Sequence, residues 1–224
     1  MVKVLDHGFV ELIDVMGDEQ EVARAARISY GQTNERSWEQ DAKLIKYLWE
    51  NKHTTPFEMI ELKFRAKMPI FVARQWVRHR TANINEFSMR YADPTRLSKG
   101  NEIDYYTPEK WRGPDPKNKQ GSINFDGGEN QQLTNLYHAA MNRNIMLYDE
   151  MSKQLGVANE MARMVLPVSV YTEWIWKNDL HNTLHFLKLR TDEHAQWEMR
   201  QYADAMLQLL REQFPRLMEI VWQP

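Results

Sequence analysis

The sequence predicts an α+β fold, a mainly antiparallel sheet flanked by helices with a large helical portion. Three observations predict it. Strand-like alternation and helical spacing occupy separate segments, yet few of these form β-α-β units. There is no GxGxxG or other glycine-rich phosphate loop, which argues against a Rossmann dinucleotide site. No internal repeat or two-domain boundary is visible, so residues 1–224 are expected to form a single domain.

The elements follow in order. Residues 2–15 alternate loosely and carry Val, Leu, Phe and Ile, which predicts one or two strands around His7-Gly8. Asp18 is placed to cap a helix reaching Ser29. Between Ser37 and Asn51, Trp38, Leu44, Ile45, Leu48 and Trp49 recur at helical spacing. Thr54-Thr55-Pro56 ends that helix. EMIELKFRAKM (58–68) alternates polar and apolar, as a half-buried strand does. Pro69 starts a helix that leads into Arg78. Ser98 to Gly128 is rich in Gly, Pro, Asn and Lys and reads as a long surface excursion. Helices resume at about Glu129–Leu155 and Asn159–Val165, with Pro167 stopping the second. VSVYTEWIW (168–176) is β-branched and aromatic, hence a strand. Two helices follow, at about 179–189 and 193–213.

Composition narrows the function. Hydrophobic residues make up 42% of the chain and aromatics 11%, enough for a substantial core. The formal net charge of −2 provides no global basic field for nucleic acid. No run of 18 apolar residues marks a membrane helix, and acids stand where a signal peptide needs an apolar core. A cytoplasmic protein without membrane or nucleic-acid partners is therefore expected. The chain has no cysteine, which excludes disulfides, thiolate metal sites and a cysteine nucleophile.

The densest chemistry lies in RHRTANINEFSMRY, from Arg78 to Tyr91. Arg78, His79, Arg80, Asn85, Glu86, Ser88 and Arg90 crowd this stretch, and Arg74 and Gln75 precede it. Guanidinium forks match phosphate and carboxylate oxygens, whereas Asn, Gln, Glu and Ser suit the edge of a heterocycle. Charged runs are more often solvated helix faces. Here the run follows the apolar PIFVARQWV and contains Asn-Ile-Asn, a poor helical sequence. It therefore reads as a pocket wall for a phosphorylated, base-like small molecule. One rival is an RNA grip built from the RHR run and the aromatics. Another is a zinc hydrolase using His181, His185 and His194, because residues four apart share a helix face. HNTLH lacks the glutamate of an HExxH helix, so no metal is expected. Arg190 lies nine residues beyond His181, on the other side of a helix unless that helix ends first. Arg163 adjoins the apolar MVLPV run, where a pocket role competes with an ordinary surface position.

RHRTANINEFSMRY resembles the RHRxxSxNExSxRY signature of the flavin-dependent thymidylate synthases. HTTPFE (53–58), PIFVARQWVRHR (69–80), EMARMVLP (160–167) and LKLRTDEHAQWE (187–198) fit the same family in order. The resemblance spans nearly the whole chain apart from 98–128. Asn83 replaces the first serine of the pattern, and DLHNTLH differs from members carrying Asn and Arg at its first and third positions. The resemblance implies conversion of dUMP to dTMP, with methylenetetrahydrofolate giving the carbon and NADPH-reduced FAD the hydride. Enzymes that methylate a pyrimidine at C5 commonly begin by adding a cysteine to the ring, which this chain cannot do. The resemblance assigns ring activation to Arg190 instead. It implies dUMP contacts from Gln75, Trp76, Val77, Arg78, Glu86, Phe87, Ser88, Met89, Arg90, Arg163 and Arg190. It implies FAD contacts from Thr55, Arg78, His79, Arg80, Glu86, Asp179, Leu180, His181 and His185. It also implies a homotetramer with active sites shared between subunits.

Overall fold

A computed structural model describes residues 1–119, 121–124 and 130–223. Five strands form one antiparallel sheet in the order β1-β2-β3-β7-β4, and β5 and β6 form a separate hairpin. The strands are β1 (Val2–Val4), β2 (Gly8–Met16), β3 (Glu61–Pro69), β4 (Asn83–Glu86), β5 (Arg112–Pro114), β6 (Ser122–Asn124) and β7 (Tyr171–Asp179). The main helices are α1 (Glu21–Ile28), α2 (Trp38–Glu50), α3 (Ile70–Trp76), α4 (Gln131–Asp149), α5 (Asn159–Ala162), α6 (Leu180–Arg190), α7 (Trp197–Gln213) and α8 (Pro215–Val221). The expected α+β fold is what forms.

Alternation decides which face of the sheet is dry. On β3, Leu62, Phe64, Ala66 and Met68 are buried, and on β7 Trp174 and Trp176 are. The register pairs Phe64 with Trp176 and Ala66 with Trp174, so the apolar sets stack side by side. Trp76 at the end of α3 fits into this face. Its ring centroid lies 5.4 Å from Trp174, 5.1 Å from Phe186 on α6 and 6.2 Å from Tyr202 on α7. Trp76 thus locks α3 against the sheet and both long C-terminal helices, which fixes where the arginine-rich segment begins. The opposite face is polar, with Arg65 bonded to Glu173 across the strands at 2.6 Å.

Several boundaries differ from those expected. Asp18 accepts from the Gln20 amide at 2.9 Å, but α1 starts only at Glu21. The strand expected at 58–68 begins at Glu61, because Thr55–Met59 coil into a 3-10 turn. The strand expected at 168–176 is shifted to Tyr171–Asp179, the register set by its partner β3. The helix expected from 193 begins at Trp197, and α8 was not anticipated. Helix α4 runs on into a π-helical turn at Glu150–Gln154, while Glu129, its expected start, lies outside the described residues.

The segment expected to be a surface excursion leaves Ser122–Asn124 exposed, but it is anchored at two points near its start. Ile103 and Tyr106 are buried, and Tyr105 bridges to Val170. Ile103, Met89, Met141, Tyr148, Ala162 and Val170 form a second apolar cluster under α4. Among the described residues no helix is long and apolar enough to cross a membrane.

Candidate active site

The signature occupies the end of α3, a turn, and the edge strand β4. Helix α3 ends at Trp76, which leaves Arg78 and Arg80 exposed and His79 partly covered on the turn. β4 then pairs with β7, Glu86 opposite Trp174, and the Phe87 amide continues the ladder to the Glu173 carbonyl at 2.8 Å. A tight turn follows, in which the Ser88 carbonyl accepts from Tyr91 and Ala92. A sheet edge suits such a segment, because one side of its backbone is free.

Helix α6 leaves β7 directly. Asp179 caps it by accepting from the Asn182 amide at 2.8 Å, a strong start for a helix. The helix ends at Arg190, so the arginine swings away from the His181 face toward the end of α3. Arg190 Nε donates to His79 Nε2 at 3.0 Å, and Nη2 reaches the Gln75 carbonyl at 3.5 Å. No carboxylate among the described residues pairs with Arg190. Burial lowers its pKa from the usual arginine value. His79 is driven the same way: burial first, then Arg190 and His185, pull its pKa down to about 4. The imidazole is therefore neutral at pH 7. Its Nε2 accepts from Arg190 and its proton sits on Nδ1.

The expected site residues fall into two groups. Gln75, Arg78, His79, Arg80 and Arg190 gather at the α3 end, with the His185 ring 6.4 Å from that of His79. Ser88, Arg90 and Arg163 lie at the other end of β4. There Arg90 bonds Glu160 of α5 at 2.9 Å, and Arg163 is exposed one turn further on. No hydrogen bond or ion pair among the described residues joins the two groups. Glu86 stands between them and accepts from the Thr172 hydroxyl at 2.7 Å. The Ser88 hydroxyl accepts from the Arg90 amide at 3.3 Å, and among the described residues no histidine or carboxylate bonds it. Val77 is exposed and Phe87 partly covered. The side chains of Trp76, Met89 and Leu180 belong to the cores.

A cleft of about 890 Å³ opens beside the first group. His181 and His185 line it from α6, together with His53, Thr54, Lys188 and Trp222. Thr55 is exposed and lies next to the lining rather than in it. His53 and Thr54 were not singled out from sequence, although they stand in the quoted HTTPFE. His194 bonds Asp192, and no group of three metal-type ligands occurs among the described residues.

The family model described as "Thymidylate synthase complementing protein" matches residues 11–216. The flavin-dependent thymidylate synthase of Ehrlichia ruminantium (strain Gardel) is 48% identical over 216 residues, covering 95% of this chain and 70% of that protein. One from Thermus thermophilus is 46% identical over 215 residues, covering 96% and 75%. The crystal structure of the UMP/dUMP methylase PolB from Streptomyces cacaoi, bound with 5-Br dUMP, superposes with a TM-score of 0.84. The two are 27% identical, and the match covers 98% of this chain and 96% of that one. With the signature on a sheet edge and Arg190 closing on it, the chain belongs to the thymidylate synthase complementing family, that of the flavin-dependent thymidylate synthases.

Proposed function

We propose that this protein converts dUMP to dTMP, taking the carbon from methylenetetrahydrofolate and using FAD reduced by NADPH. The observation that carries the reading is Arg190, a half-buried guanidinium held by a neutral imidazole and a carbonyl rather than by a carboxylate. Such a cation is free to answer an anion, and a guanidinium keeps its charge without exchanging protons. It is suited to negative charge on a uracil ring as C5 becomes nucleophilic. Arg78 and Arg90 provide forks for the nucleotide phosphate, and Arg90 would exchange its exposed Glu160 partner for it. Ser88 orients rather than attacks, since among the described residues no histidine or carboxylate bonds its hydroxyl to take its proton.

The donor set fits a flavin. Histidines, lysine and tryptophan line a cleft whose volume lies within the range of roughly 300–1,000 Å³ common for ligand sites. His53, Thr54, His181 and His185 would hold the cofactor, with Arg78, His79 and Arg80 contributing from the α3 end, where the His79 ring lies 6.4 Å from that of His185. Reduced flavin supplies the hydride. No hydrogen bond or ion pair among the described residues joins the two residue groups of the site, which is in keeping with a homotetramer that completes each site from several subunits. Exposed Leu136, Met146, Leu155 and Met164 supply apolar surface for it.

The test combines colour and kinetics. The purified protein should show a flavin spectrum that shifts on dUMP addition. Arg190→Ala should lose far more in kcat than Ser88→Ala, because its contact strengthens as charge develops. Loss of all turnover in Ser88→Ala with flavin and dUMP still bound would instead support covalent attack by the serine.

A further inference from the structure

The groups behind Gln75 form a polar relay that this chemistry leaves unused. Glu198, in the first turn of α7, is only 3% exposed. Its Oε1 accepts from the Tyr106 hydroxyl at 3.2 Å and from Arg112 Nη2. Its Oε2 accepts from Gln196 Nε2 at 3.0 Å. Gln196 Oε1 accepts in turn from Gln75 Nε2. Gln75 is also the residue whose carbonyl receives Arg190.

A carboxylate only accepts, whereas an amide can present either end. Glu198 therefore dictates the orientation of both amides. With its nitrogen toward Glu198, Gln196 must turn its oxygen to Gln75, and Gln75 must answer with nitrogen. The oxygen of Gln75 is left over, and no described residue bonds it. Tyr106 and Arg112 keep Glu198 in its accepting role. Burial, then the charge of Glu198, push the Tyr106 pKa well above its usual value, so the phenol stays a donor. Arg112 is steadied over the Trp197 ring at 5.2 Å.

We propose that Glu198 is a positioning residue for the nucleotide: through Gln196 it sets the polarity of the Gln75 amide, so that Gln75 offers the ligand a carbonyl oxygen. This rests on the reading of Gln75 as a dUMP contact. A buried anchor for Tyr106 and for the β5–β6 hairpin would need the bonds to Tyr106 and Arg112 but not the bond to Gln196. The two roles are therefore separable.

Two variants test it, with dUMP binding followed by titration on the flavin-loaded protein. Glu198→Gln keeps the size but lets both amides invert, and should weaken dUMP binding by about tenfold, as expected for one misdirected buried hydrogen bond. Gln196→Leu breaks the relay while leaving the Glu198–Arg112 pair, and should weaken it similarly with the flavin still bound. In a Gln75→Ala background, neither change should weaken binding further. Wild-type affinity in Gln196→Leu, or the same loss with and without Gln75, would overturn the proposal. If the wild-type protein binds no dUMP at all, the functional reading fails first and this proposal falls with it.

Discussion

Acidification should destabilise this protein through His79, and the structure gives the size of the effect. The imidazole has a pKa of about 4 in the fold against 6.5 when free. The unfolded chain therefore binds a proton more readily than the folded one. Stability from this residue is fully present above pH 6.5 and is lost as the pH falls from 6.5 toward 4. The difference of about 2.5 units corresponds to roughly 3.4 kcal/mol at 1.36 kcal/mol per unit. The ring is only partly covered, so solvent screening should reduce this to roughly 1–2 kcal/mol. Protonation would also set two cations at the 3.0 Å now spanned by the Arg190–His79 bond. Urea unfolding of the wild type and His79→Gln, at about pH 7.5 and about pH 5, isolates the effect, because titrations common to both cancel. The wild type should lose roughly 1 kcal/mol more than the variant over that interval, which covers about half of the titration. Equal losses would refute the claim that His79 is held neutral by its burial and by Arg190.

Three further outcomes are expected. Gly8→Ala should destabilise by roughly 3 kcal/mol in thermal or denaturant unfolding, because the added Cβ would sit 2.1 Å from the Tyr202 hydroxyl and 2.7 Å from two carbonyl oxygens. Asp41→Ala should cost about 3–5 kcal/mol by the same measurement, since it strands Arg27, which is 5% exposed and bonds that carboxylate at 2.6 Å. Mixing inactive Arg78→Ala with inactive Arg190→Ala under subunit exchange should restore activity if sites are shared. Proven exchange without recovery would confine each site to one chain.

The sequence by itself determined the elements and the chemical vocabulary of the site. Alternation in residues 58–68 and apolar spacing in 37–51 announce a strand and a helix, because each depends on neighbours within a turn or two. The crowding of arginines and amides from Arg78 to Tyr91 is equally local, and it pointed to a nucleotide before any fold was known. Tertiary structure decided the rest. Arg190 meets His79 across 111 residues of sequence, and Gln75 meets Gln196 across 121. Those contacts exist because Trp76 seats α3 between the sheet and helices α6 and α7, and no local pattern encodes that placement. The segment after Ser98 shows the same division: its Gly and Pro describe a loop, but burial of Ile103 and Tyr106 is decided by the surface they meet. Glu198 was visible in LKLRTDEHAQWE only as an acid at a helix start, where acids are common. What made it a buried acceptor was the arrival of Tyr106 and of Arg112, the first residue of a hairpin distant in sequence. Periodicity records what a residue's own element needs; the partners of a side chain are set by how the elements pack.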